Sequence, residues 1–138
     1  MKVRDFHKKV KSLEELAEII KGLKEKGKTV VHCHGVFDLL HPGHIHHLAA
    51  AKEQGDVLVV TLTPDIYVGK GPGRPVFNQH LRAETLGAIQ HVDYVAINKW
   101  PTAVNTIELL RPNLYVKGSE YAAPEEDLTG GIIEEEET

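Results

Sequence analysis

The chain has 138 residues, 41% of them hydrophobic and 26% charged, which is the composition of one globular domain and not of a disordered segment. Its net charge of −4 excludes the strongly basic profile of a nucleic-acid binder, and no apolar run approaches the roughly 20 residues that cross a bilayer. The polar stretch Met1 to Lys11 has no apolar core of a secretory signal, and a lone cysteine, Cys33, cannot pair internally, so a soluble cytoplasmic domain with no membrane partner is expected.

Ser12 precedes a helical pattern of Leu13, Leu16, Ala17, Ile20 and Leu23, with Glu15 at the third position of a capping box and Gly27 as the stop. Thr29 to His34 reads as a short buried strand running into Gly35. A loop follows from Val36 to Pro42, and a helix from about Gly43 to Gln54 ends at Gly55. Asp56 to Thr63 is a continuous apolar strand of the kind buried on both faces of a parallel sheet.

Pro64 to Phe77 carries glycines at 69, 71 and 73 and prolines at 72 and 75, and is a loop. A helix is predicted over Asn78 to Gln90 with Leu81, Leu86 and Ile89 on one side, then a strand over Asp93 to Ile97. Pro101 suits the first turn of a helix that runs to Leu110, and Asn113 to Lys117 is a fourth strand ending at Gly118. Gly130 to Glu137 is a final short helix or a frayed end. Residues 125–138 hold seven acids and no Lys or Arg, which leaves 16 basic against 13 acidic residues over 1–124. A body of net charge +3 suits small phosphorylated ligands.

Strands and helices therefore alternate, the signature of an α/β, doubly wound parallel sheet in three layers. Ligands bind such sheets at the carboxyl ends of the strands. That rule selects His34 to His44, Thr63 to Arg74, Ile97 to Trp100 and Lys117 to Tyr121. Six of the nine histidines lie between His32 and His47. His41-Pro42-Gly43-His44 falls at a strand-to-helix turn, where a helix N-terminus offers amide donors to phosphate. Gly35 permits close backbone approach. Two imidazoles three residues apart could donate to one phosphate. His46 and His47 fall on other faces, as solvated residues without a role, and Trp100 is read as a packing residue. A structural zinc site is the alternative that histidine richness raises, but the spacings match neither a zinc finger nor an HExxH helix, and no metal ligand is assigned.

The run Gly35-Val36-Phe37-Asp38-Leu39-Leu40-His41-Pro42-Gly43-His44 resembles the GxFDxxHxGH signature of the cytidylyltransferase-like nucleotidyltransferases. The likeness continues through Gly55-Asp56, Lys70-Gly71, Arg74-Pro75-Val76, Arg82, Val92-Asp93 and Val116 to Tyr121, over about residues 12–130. The Lys-Gly, Arg-Pro-Val and Val-Lys-Gly elements make it most similar to the adenylyltransferase domain of bifunctional heptose-phosphate (RfaE/HldE-type) enzymes. The resemblance implies a Rossmann-like fold. It also implies Mg²⁺-dependent transfer of a nucleotidyl group from a nucleoside triphosphate, by direct attack, to a sugar phosphate such as heptose 1-phosphate, with release of pyrophosphate. ATP is favoured, with CTP left open. A cytidylyltransferase of glycerol 3-phosphate or a similar polyol phosphate, and a non-catalytic nucleotide-binding module, stay open as alternatives.

The same resemblance assigns catalysis to His41, His44 and Lys70. It assigns nucleotide binding to Gly35, Val36, Phe37, Asp38, His41, Gly43, His44, Lys117 and Gly118. Lys70, Arg74, Arg82 and Glu120 form the substrate-binding set; Glu120 stands where relatives carry Asp, and Asp38 orients its loop more than it performs chemistry. Family members continue into a Ser/Thr-rich segment, whereas this sequence ends Glu134 to Thr138. The expectation is a single nucleotidyltransferase domain over 1–138, truncated at its C-terminus, belonging to a larger two-domain protein fused to a sugar kinase. A homodimer is the expected oligomer.

Overall fold

The structure is a computed structural model that describes residues 7–69 and 71–117. From residue 13 on, the described residues alternate helix and strand: α1 (Leu13–Glu25), β1 (Val30–Gly35), α2 (Pro42–Glu53), β2 (Val57–Leu62), α3 (Gln79–Gly87), β3 (Tyr94–Ile97), α4 (Val104–Leu110) and β4 (Leu114–Tyr115). A single 3₁₀ turn, Asp65–Tyr67, interrupts the long loop after β2. All strand pairs are parallel and the order is β3-β2-β1-β4. Residues 9–11 cover the outer edge of β3 through Lys11 N to Val95 O at 2.8 Å and Val95 N to Lys9 O at 2.9 Å, which removes one open edge.

Period-two alternation divides the strands between two cores. Val31, Cys33, Leu58, Val60, Leu62 and Val95 pack with Leu48 and Ala51 of α2 and with Ala83 and Leu86 of α3. On the opposite face Val30, Val59 and Ala96 pack with Leu13, Leu16 and Ile20 of α1 and Leu110 of α4, with Trp100 packed beside them. The result is the predicted three-layer α/β sandwich. The chain steps from β1 to β2 to β3 and then returns to place β4 on the other side of β1. The sheet's switch point therefore lies between β1 and β4, and the ligand crevice of such sheets opens there, beyond the strand C-termini.

The α1 capping box forms as read, with Glu15 N donating to Ser12 Oγ and Ser12 N to Glu15 Oε1, each at 3.1 Å. One helix face and two boundaries differ. Helix α3 buries Arg82, Ala83, Leu86 and Gly87, a proper i, i+4 stripe, and leaves Leu81 46% exposed; residues 81 and 86 are five apart and do not share a helical face. Helix α4 starts at Val104 and not near Pro101, because the Asn98 side chain ties up the carbonyls of Trp100 (2.8 Å) and Thr102 (2.9 Å) and holds the approach as a loop. Strand β4 shrinks to two residues. The acidic end and the proposed final helix lie outside the described residues. No helix among those described is long and apolar enough to cross a membrane.

Candidate active site

Strand β1 delivers the chain into a tight turn at its C-terminal end. A Cβ on Gly35 would sit 3.0 Å from the Phe37 ring, so glycine makes room for that ring, which is 96% buried and joins the core beneath α2. Phe37 itself is left-handed, with φ 53°, a conformation that costs a non-glycine residue roughly 1–2 kcal/mol and must be held by its surroundings. Two groups hold it. The Val36 carbonyl accepts from Arg82 Nη1 at 2.9 Å. The buried Asp38 carboxylate accepts from Val76 N at 2.8 Å and Phe77 N at 2.9 Å, with Arg74 Nε 3.2 Å away. Burial alone would raise the Asp38 pKa; the Phe77 and Val76 amides and the charges of Arg74 and Arg82 outweigh it and keep the carboxyl below its usual value. Asp38 thus ties the loop after β1 to residues 74–77.

The next four residues cap α2 in an unusual way. His41 is the N-cap residue, in extended conformation, and its Nδ1 accepts from Gly43 N at 3.0 Å. Reciprocally, His41 N donates to His44 Nδ1 at 3.2 Å. Two imidazoles do what Ser and Glu do in an ordinary capping box. A ring nitrogen that accepts an N–H carries the lone pair, so each ring keeps its proton on Nε2. The amides of Gly43 and His41 are consequently turned onto the rings, which stand at the positive end of the helix with their protons on Nε2. The rings lie 4.0 Å apart, and Phe37 meets His44 edge-on at 6.1 Å. A Cβ on Gly43 would stand 2.6 Å from His41 Cε1, so only glycine lets the His41 ring fold back over the helix end.

Arg82 departs from expectation. The residue is 1% exposed, and its guanidinium donates to the carbonyls of Phe77 (3.0 Å), Val36 (2.9 Å) and Thr63 (2.7 Å) and to Asp65 Oδ1 (2.6 Å). As folded, it staples the loops after β1 and β2 to the start of α3 and turns no face to a substrate. His47, read as solvated, is instead buried, with Nε2 3.9 Å from Cys33 Sγ; His46 is exposed. Arg74 stays partly exposed beside Asp38. Just past β4, Val116 N donates to His32 O at 2.9 Å, and Lys117 after it so reaches the same end of the sheet as Gly35. Lys70, Gly118 and Glu120 lie outside the described residues.

A second polar cluster escaped the sequence reading. His32 and His34 of β1 and Thr61 of β2 share the α1/α4 face of the sheet. Thr61 Oγ1 lies 2.8 Å from both His32 Nε2 and His34 Nδ1, and His34 Nε2 lies 3.4 Å from Thr63 Oγ1. Burial, with the nearby His34, pushes the His32 pKa down to about 3, and burial pushes His34 down to about 4, so both rings are neutral. The signal available in the sequence was two histidines at period two in an otherwise apolar strand. Among the described residues no three His, Cys, Asp or Glu side chains gather to hold a metal ion.

Comparison with known proteins converges on one group. A family model described as cytidylyltransferase-like matches residues 32–132. The chain is similar to the bifunctional protein HldE of Geobacter metallireducens (42% identical over 132 residues, 94% of this chain and 27% of the relative). It is similar also to that of Campylobacter concisus (45% over 124 residues, 88% and 26%). The chain thus spans about a quarter of the length of these curated relatives. A crystal structure of the lipopolysaccharide core biosynthesis protein from Thermoplasma volcanium superposes with a TM-score of 0.58 at 31% identity, covering 64% of this chain and 73% of that one.

Proposed function

Because the chain belongs to the cytidylyltransferase-like family of nucleotidyltransferases, we propose that it moves a nucleotidyl group, from ATP in preference to CTP, onto a sugar phosphate such as heptose 1-phosphate. The observation that carries this reading is the double-imidazole cap at the switch point, which places two histidines at the helix end where such folds receive phosphate. The sugar acceptor is supported by the lipopolysaccharide core biosynthesis protein among the structural relatives. The preference for ATP rests on the Lys-Gly, Arg-Pro-Val and Val-Lys-Gly elements of the sequence.

The chemistry asks little covalent work of the protein. A phosphate oxygen of the acceptor is already ionised at neutral pH and needs no general base. It forms a bond to the α-phosphorus while the bond from that phosphorus to the bridging oxygen breaks, and pyrophosphate leaves with the electron pair. Catalysis is then alignment and charge stabilisation. His41 and His44 donate from Nε2 to phosphate oxygens that gain charge, and Lys70, Arg74 and Lys117 add positive charge around them. Mg²⁺ fits this set as an ion brought in by the triphosphate: the nearby carboxylates, Asp38 and Asp65, are committed to backbone amides and to arginines. Such an ion supplies charge neutralisation of the phosphates.

The test is pyrophosphate release with Mg²⁺, pairing ATP or CTP with heptose 1-phosphate, other sugar 1-phosphates and glycerol 3-phosphate. Turnover is expected with ATP and a sugar 1-phosphate. Turnover restricted to CTP with glycerol 3-phosphate would overturn the donor and acceptor together, and nucleotide binding without turnover in any pair would leave a binding module.

A further inference from the structure

The cluster on the α1/α4 face holds one hydrogen too few for its contacts to be arbitrary. Thr61 is fully buried and its hydroxyl has a single proton, yet it touches two neutral imidazoles at 2.8 Å. The hydroxyl can accept twice but donate only once, and among the described residues its proton has no acceptor other than these two rings, so it donates to one and accepts from the other. His32 decides the direction. Its Nδ1 is buried without any hydrogen-bond partner, and orphaned N–H groups are the rarest kind of unsatisfied buried group. With the His32 proton on Nε2 the orphan is only a lone pair. His32 then donates to Thr61, Thr61 donates to His34 Nδ1, and the His34 proton is left on Nε2. Thr63 Oγ1, 3.4 Å beyond, can pass its own proton to Gly35 O at 3.5 Å. Every proton of the chain is used once, only the His32 Nδ1 lone pair stays unpartnered, and the chain runs one way, from the buried interior to the C-terminal end of the sheet.

We propose that His32 and Thr61 lock His34 as an Nε2–H donor, and that His34 contacts an oxygen of the sugar phosphate and contributes to selecting it. His34 is the residue before Gly35 and is only partly buried; its contact with Thr63 is long, so the N–H is available to a closer acceptor. It lies on the α1/α4 face of the strand end, whereas α2 and its two capping histidines are on the opposite face. In an in-line displacement the attacking group approaches opposite the departing pyrophosphate. With the triphosphate on the α2 side, the incoming sugar phosphate is the substrate that meets His34. This assignment rests on the reading of the site proposed above.

Long-range ¹H–¹⁵N NMR of ¹⁵N-histidine-labelled protein reads the tautomer without any turnover. His34 is expected to show a protonated Nε2 and a lone-pair Nδ1, and Thr61→Val to allow the other tautomer. A protonated Nδ1 on His34 in the unaltered protein overturns the lock. In steady-state kinetics His34→Leu is expected to raise KM for the sugar 1-phosphate about tenfold, the worth of one hydrogen bond, with KM for ATP unchanged and His34→Gln recovering most of the loss. Equal changes in both KM values, or none, overturn the contact. Absence of turnover with every substrate pair would instead strike the nucleotidyltransferase reading and remove the contact with it, while the tautomer stands or falls on the free protein.

Discussion

Lowering the pH from 7 to 5 is expected to cost the fold about 2 kcal/mol for each of the two β1 histidines, His32 and His34. His32 and His34 protonate in the fold only near 3 and 4, but near 6.5 once the chain unfolds. Below pH 6.5 the unfolded chain therefore binds two protons that the folded chain refuses. Stability is full above 6.5, falls as the pH drops, and stops falling on their account once the folded values are passed. At pH 5 each ring lies about 1.5 pH units below its unfolded value, and at 1.36 kcal/mol per unit the pair costs about 4 kcal/mol, a large share of a typical 5–15 kcal/mol. Carboxylates held below their usual range, Asp38 among them, act at lower pH, so the window from 6.5 to 5 belongs to the imidazoles. Urea unfolding at pH 7, 6 and 5 measures the slope directly. His32→Gln keeps a donor for Thr61 but does not titrate, and it should roughly halve the slope. A wild-type stability that is flat from pH 6 to 5, or an unchanged slope in His32→Gln, would refute the assignment of two neutral rings in the fold.

Other perturbations separate the parts of the site. Gly43→Ala places a methyl where His41 Cε1 stands; it should displace the ring and lower kcat about as much as His41→Ala, with far-UV circular dichroism unchanged. His41→Ala and His44→Ala should each lower the rate of pyrophosphate release by about 10²–10³-fold, the usual worth of a preorganised donor; untouched rates would remove both from catalysis. Asp38→Ala strips two amides and Arg74 of their shared acceptor and is expected to cost about 1–3 kcal/mol, read by chemical denaturation. Arg82→Met leaves three carbonyls and the Asp65 carboxylate without their donor and should cost about 3–5 kcal/mol; a loss of activity at full stability would mean that the guanidinium serves substrate after all.

The layers, the elements and the turn that caps α2 were legible because each depends on local pattern. Apolar runs bounded by glycine placed the strands, and HPGH at a strand-to-helix junction placed the cap. What stayed hidden depends on neighbours distant in sequence. Nothing near Arg82 announces that its partners will be Val36, Thr63 and Asp65 across 17 to 46 residues, and an arginine on a helix ordinarily faces water. The pairing of His34 was hidden for a related reason: its partner Thr61 is its register mate on β2, and strand register is not written in either segment alone. His47 was misplaced because α2 is apolar over most of its girth and gives little rotational signal. The start of α4 was misjudged because Asn98, outside the helix, controls its first turn.

The claim on which the rest stands is that the triphosphate rests on the α2 end at His41 and His44. Thermal unfolding with ATP–Mg²⁺ and CTP–Mg²⁺, for the wild type, His41→Ala and His44→Ala, tests it most directly. A ligand at a hundred times its Kd adds about 2.7 kcal/mol, several degrees for a domain of this size. The account predicts that ATP raises the wild-type midpoint and that either substitution abolishes most of the rise. An equal rise in all three proteins would put the nucleotide elsewhere and contradict the account.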